Sequence, residues 1–362
     1  MSINTSGQSP EKPQMKKPIP TPQKPWKPTV AERSQSIAVG VLAALFSVGT
    51  VAITPMKGLL PFLILFGIYA IIIGYFKGFI GRGSTTAKNN AVGVLLGLGT
   101  VVALIPIASI LHTTITRGYK GLHWGLWRDD MSQNTSIDPI TEGGLYHALV
   151  GTIIMVSMAL IVALPLGILT AIYLTEIKGR FSRPVRFLVQ AMSGVPSIVA
   201  GLFIMSAIVY PITQTFSGFM GALALSILMI PTIARTAEEV LLLIPNDLRE
   251  AGVALGGTQW RTVAMVVLPA ARSGLVTAMI LGIARVIGET APILLVTGGG
   301  DAVNYNPFTG PMGSLPFYVW KSFFFGTEEA TTRGWAGLLV LLGFVLILFL
   351  LARTLSKRKV RR

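Results

Sequence analysis

The sequence predicts an all-α integral membrane protein, and three observations carry that expectation. Of its 362 residues 52% are hydrophobic and only 12% are charged, at a mean hydropathy of +0.66, whereas soluble domains carry roughly 25% charge. Apolar runs long enough to cross a bilayer, which takes about 20 helical residues, recur along the chain. Lys and Arg are unevenly placed: 23 of the 30 fall in the two terminal segments and in every second loop. By the positive-inside rule those segments are cytoplasmic, and both termini with them. Each span must be a helix, because hydrocarbon offers no partner to backbone N–H and C=O groups.

Residues 1–36 are rich in Pro, Lys, Gln and Ser without an apolar period, and read as a disordered basic cytoplasmic tail. No cleavable signal peptide is expected, since the first apolar run starts late and lacks a small-residue cleavage pattern. Residues 37–88 read as an accessory two-helix membrane segment with spans Ile37–Ile53 and Leu59–Phe76. Pro55, Gly58 and Pro61 leave open a single re-entrant hairpin there. Gly81-Arg82-Gly83-Ser84 reads as a linker into a core of residues 89–353. The core spans are Ala91–Leu111, Ala148–Leu174, Phe187–Tyr210, Gly218–Ile233, Leu275–Val296 and Trp335–Leu351. Residues 354–362 form a second basic cytoplasmic tail. Two long loops face outward. His112–Gly144 holds Trp124, Trp127 and Asp129-Asp130; Gly298–Gly334 holds Phe317, Tyr318, Trp320 and Phe323–Phe325. The aromatic run is expected to form an interfacial belt or a short helix at the outer mouth.

Several chemistries are excluded. There is no cysteine, hence no disulfide framework or thiolate. His112, His123 and His147 lack metal-ligand spacing, so solvated or interfacial roles and no metal site are expected. A net charge of +15 would suggest nucleic acid in a soluble protein; here the cations flank spans and meet anionic lipid, and no nucleic-acid partner is expected. No Gly-x-x-x-x-Gly-Lys-Ser/Thr loop is present, so the chain should bind no cofactor and not hydrolyse ATP itself.

Charge inside the apolar spans carries the functional reading. Arg285 lies near the middle of the bilayer, where an arginine costs about 2.5–3.5 kcal/mol, and Glu289 sits one turn further on, at pairing distance. Arg235, just past Pro231, lies in the inner part of its own span, where an interfacial anchor is the other reading. Ionisable groups within spans mark solute paths by default. The planar, permanently charged guanidinium fork matches tetrahedral oxyanions bidentately. Phosphate or sulfate therefore suits this set better than a sugar or an amino acid, and Glu289 offers a release device by re-pairing with Arg285.

The segment between the last two core spans before the second outer loop reads Glu250-Ala251-Gly252, then Gly256, then Leu268-Pro269, with Asp247 ahead and Leu255 at the turn. An amphipathic helix ending in a flexible turn suits docking into a groove on a soluble partner. Its spacing resembles the loop by which permease subunits of binding-protein-dependent ABC importers grip their ATPases; Gly252 and Val266 depart from the usual Ala and Ile. The helix of this loop is expected over Asp247–Thr258.

Ala284–Pro292 further resembles the Arg-Ala-Ile-Gly-Glu-Thr-Ala-Pro signature of the phosphate ABC importer permeases, with Val286 in place of Ala. Gly143-Gly144-Leu145 with Gly151-Thr152, Leu164–Glu176, Gly194–Gly201 and Ile233–Glu250 are similar to the PstA branch of that family. The resemblance covers about Ala91 to Arg353 and excludes the tail and first two spans. It implies a six-helix ABC importer permease core, two extra N-terminal transmembrane helices, and a place in a bacterial inner membrane. It also implies a PstC-like second permease, two ATPase subunits that use ATP and Mg, and an extracytoplasmic phosphate-binding protein. Arg235, Arg285 and Glu289 are then the phosphate-path residues, and Asp247, Glu250, Ala251, Gly252, Leu255, Gly256 and Pro269 the ATPase-coupling loop. A permease for sulfate or molybdate is the alternative, and an ion-coupled carrier a more distant one.

Overall fold

A computed structural model describes residues 30–55 and 58–356, and the described residues fold into helices joined by short turns and two long loops. The chain divides into two compact units, one ending at Ala108 and the other beginning at Ser109.

In the first unit α1 (Val30–Ile53) and α2 (Leu59–Arg82) pack together, with Phe46 against the Tyr69 ring at 5.7 Å and the Thr50 hydroxyl 2.8 Å from the Tyr69 hydroxyl. They are two separate helices, not the re-entrant hairpin that the prolines left open. Pro55 falls in the turn, and Pro61 in the first turn of α2, where a missing N–H costs nothing. The expected linker shrinks to Gly83, whose φ of +87° a side chain would resist, and α3 (Ser84–Gly118) starts at once. Of the expected tail, residues 30–36 are already helical within α1, and 1–29 lie outside the described residues.

The second unit is built on α4 (Tyr146–Ile172) lying parallel to α7 (Gly218–Leu242). Gly167 gives Ile233 its space and Gly221 receives Met155, a constant offset along both helices. Met155, Ala159, Leu225, Met229 and Ile233 are buried between them. α10 (Leu268–Val286) packs on α7 in the opposite direction, with Gly274 against Val240 and Gly282 against Ile233. α13 (Glu328–Ser356) closes the unit, so residues 354–356 of the expected second tail are helical and 357–362 lie outside the described residues. Among the described residues seven helices are long and apolar enough to span a membrane, or eight counting one bent pair.

Two expected spans are not straight. Phe187–Tyr210 is split into α5 (Ser182–Ser193) and α6 (Ser197–Ile204), the latter running on as a π-helical segment to Thr213, with a bend of 104° at Gly194-Val195-Pro196. Proline removes an N–H and pushes its predecessor out of the helical region. Leu275–Val296 breaks after Val286 and resumes as α11 (Ala291–Val296), which packs on α6 through Gly201 against Pro292. The aromatic run forms a helix, α12 (Leu315–Phe325), opened by Ser314, whose hydroxyl accepts from the Phe317 N–H at 3.3 Å.

Candidate functional site

The charged pair forms across the α10–α11 break. Arg285, in the last turn of α10, donates to Glu289 in the irregular Ile287–Thr290 stretch. Arg285 is 46% exposed and Glu289 only 13%. The carboxylate is thus sheltered while the guanidinium opens to one side, on the exposed stripe of α10 that also carries Thr277 and Leu281, with Gly288 exposed just beyond it. Carrying the Gly282–Ile233 register three residues on puts Arg285 level with about Ile230, midway along α7. Arg235 projects from a second exposed stripe, on α7, with Glu239. It lies about five residues, or about 7.5 Å of helix axis, nearer the α8 end than Arg285. No ion pair or hydrogen bond joins Arg235 to another group among the described residues. The neighbouring Glu238 is taken by Arg186 at 2.6 Å. Two of the three expected path residues are therefore together, and the third stands apart.

The loop segment folds as α8 (Asn246–Ala254), a turn, and α9 (Gln259–Thr262), followed by a π-helical turn, Val263–Val267, into α10. The helix is shorter than the expected Asp247–Thr258, because Gly256 at φ +82° reverses the chain. Asp247 lies in the first turn of α8, where a carboxylate suits the helix N-terminus. Glu250, Ala251 and Leu255 are exposed, Leu255 by 90%, and Pro269 is exposed at the start of α10. Gly252 is explained by its neighbour: a Cβ there would sit 2.6 Å from Thr262 Cγ2. Leu248, Val253, Leu255 and Trp260 leave an exposed apolar surface beside a groove of about 670 Å³ lined by Glu176, Arg249, Glu250 and Gln259.

What holds α8 was not expected from the sequence. Arg249 donates through Nε and NH2 to the Glu176 carboxylate at 3.0 and 2.8 Å, and to the carbonyls of Ile244 and Leu241 at 2.6 and 2.8 Å. It thereby ties α8 to the π-helical end of α4 and caps the end of α7. Gln259 adds a bond to the Glu176 carbonyl at 2.6 Å. The hydrogen bond to Glu176, opposed by partial burial, holds the Arg249 pKa above its ordinary value.

At the opposite end the two long loops are stitched together. Asp130 accepts from the Ser132 N–H and hydroxyl and from the Val303 N–H, while the Met131 N–H donates to the Asp301 carbonyl at 3.0 Å. Lys321 pairs with Asp301. Arg333, in the segment read as the outer loop Gly298–Gly334, is fully buried, donating to the carbonyls of Asp138, Pro139 and Glu142 at 3.1, 2.5 and 2.7 Å. His147 is likewise 3% exposed, not solvated, because it packs on the Tyr318 ring and Gly313.

The family model described as the binding-protein-dependent transport system inner membrane component matches residues 163–361. The chain is 38% identical over 270 residues to the phosphate transport system permease protein PstA 1 of Mycobacterium tuberculosis (strain ATCC 25618 / H37Rv), covering 74% of this chain and 85% of that one. It is 34% identical over 275 residues to PstA of Pasteurella multocida (strain Pm70), covering 75% and 95%. An inward-facing structure of the MetNI methionine ABC transporter aligns at a TM-score of 0.49 and 21% identity, over 59% of this chain and 93% of that one.

Proposed function

This chain belongs to the binding-protein-dependent transport system inner membrane components and, within them, to the PstA phosphate permeases, and from that premise we propose that phosphate passes the Arg285–Glu289 break while α8 transmits the drive. The chain is a multi-pass permease subunit of an ABC phosphate importer, a transport subunit and not an enzyme. The observation that carries the site is a half-exposed guanidinium, level with the middle of α7, held by a single carboxylate across a broken helix.

An arriving dianion competes with Glu289 for the Arg285 fork, a planar pair of donors that fits two phosphate oxygens. When the path opens on the other side, Glu289 re-pairs with Arg285 and expels the ion. Arg235 serves as a second cationic station on the way to the α8 end, which we assign to the cytoplasm with both termini. The break keeps its backbone largely bonded, the Ile287 and Glu289 N–H groups donating to the Ile283 and Val286 carbonyls at 3.0 and 3.1 Å.

The exposed stripe of α10 faces a PstC-like second permease, and the stitched loops at the other end receive the extracytoplasmic phosphate-binding protein. Two ATPase subunits bind ATP and Mg, and one of them seats the apolar surface of α8 and α9 in its groove. ATP binding then moves α8, and the pull reaches α4 and α7 through Glu176 and Arg249 and shifts the two permeases between outward and inward openings. Exposure of Arg285 must differ between those two states for uptake to be coupled.

Uptake of labelled phosphate into proteoliposomes holding both permeases, the ATPase and the binding protein tests the reading. Phosphate should enter only with ATP, and excess sulfate or molybdate should not compete. Equal competition by sulfate would assign the path to oxyanions in general. ATP-independent uptake by the purified chain alone would point to a carrier.

A further inference from the structure

We propose that the first unit holds the headgroup of an anionic phospholipid in a pocket between α1, α2 and α3, with Lys77 as its cation. The pocket has a volume of about 690 Å³ and lies where α1 begins, α2 ends and α3 begins, at one end of three membrane-spanning helices. Gln35, Lys77, Thr86 and Asn90 supply its polar wall, and Leu42 and Ile73 its apolar wall. Lys77 also lines an adjoining cavity of about 340 Å³. The walls are fixed: a Cβ on Gly78 would sit 2.6 Å from Ala87 Cα, and the Asn90 amide reaches the Gly74 carbonyl at 3.5 Å.

Charge identifies the occupant. Lys77 is half-buried and has no hydrogen bond or ion pair among the described residues. α2 and α3 contain no Asp or Glu, so Lys77 and Lys88 meet no carboxylate from their own helices. A partly desolvated cation without countercharge is costly, and the nearest supply at a span's end is the phosphoryl group of a lipid. Basic pockets between spans bind such headgroups. The Leu42–Ile73 wall leads on to exposed Val41 and Leu45, which an acyl chain can follow. Inorganic phosphate shares the headgroup's chemistry but has no use for that wall.

The test is photocrosslinking of the intact transporter in nanodiscs made with photoactivatable phosphatidylglycerol or its phosphatidylcholine counterpart, with labelled peptides mapped. Phosphatidylglycerol should label residues 35–90 and phosphatidylcholine should not. Lys77→Gln should lower the labelling about fivefold, the effect of one basic side chain near a membrane surface. Lys77→Arg should restore it, and excess inorganic phosphate should leave it unchanged. Equal labelling of wild type and Lys77→Gln, equal labelling by the two lipids, or displacement by inorganic phosphate would each overturn the proposal.

Discussion

Arg249 and Glu176, 73 residues apart, form a two-point charge-assisted bond that joins α8 to the end of α4. With side chains 21% and 6% exposed, the pair is shielded from water and salt. The same guanidinium also bonds the carbonyls of Leu241, in the last turn of α7, and Ile244 just past it, so one side chain ties α8 to the ends of both core helices.

Breaking this link should uncouple the machine. Charge-assisted hydrogen bonds of this kind contribute about 1.5–3 kcal/mol. We expect Arg249→Ala to abolish ATP-driven phosphate uptake while the ATPase still hydrolyses ATP in the assembled complex. Glu176→Gln, which keeps one acceptor, should lose less. Uptake at the wild-type rate in both variants would exclude a coupling role for the pair.

Gly252 should not accept even the smallest side chain. Thr262 is buried and its Cγ2 occupies the space, and overpacking costs about 1–3 kcal/mol. Gly252→Ala should therefore lower the melting temperature of the complex, and adding Thr262→Ser, which removes that methyl, should recover most of the loss. An additive double variant would show that the two positions do not meet.

Arg333 should be intolerant of substitution. Its removal strands three carbonyls under the 131–142 loop, at about 1–3 kcal/mol for each unsatisfied group. Arg333→Met should speed hydrogen exchange throughout that loop. Unchanged exchange would mean that water replaces the guanidinium.

The loop stitch should loosen in acid. Burial raises the Asp130 pKa, but the Ser132 hydroxyl, the Ser132 N–H and the Val303 N–H together outweigh it and hold the carboxyl below its ordinary value. A depressed folded pKa means that the stabilisation is complete above the ordinary carboxylate range and disappears as pH falls through the lowered value. Protection of the Val303 amide should fall over that acidic window, and Asp130→Asn should remove the pH dependence. A pH-independent amide would contradict this.

Much of this molecule was legible because membrane helices answer to local rules. Apolar runs located the seven long helices and the bent pair found among the described residues, and the i,i+4 spacing of Arg285 and Glu289 foretold their pairing. The bends at Gly194–Pro196 and Ile287–Thr290 were hidden, since they rest on tertiary contacts such as Gly201 against Pro292. Glu176 lay within a recognised run, yet its partner was 73 residues away. Arg333 binds backbone carbonyls, which leave no mark in a side-chain pattern. Gly256 was readable from its type alone, as the φ of +82° confirms.

The central claim is that Arg285 engages phosphate through its planar fork, and initial rates of ATP-driven phosphate uptake by the reconstituted transporter test it. Wild type should be compared with Arg285→Gln and Arg285→Lys. We expect Arg285→Gln to lose about 10- to 100-fold, the scale of one or two charge-assisted hydrogen bonds, and Arg285→Lys, which keeps the charge but not the fork, to recover only part of it. Wild-type uptake by Arg285→Gln in a fully assembled complex would contradict the account.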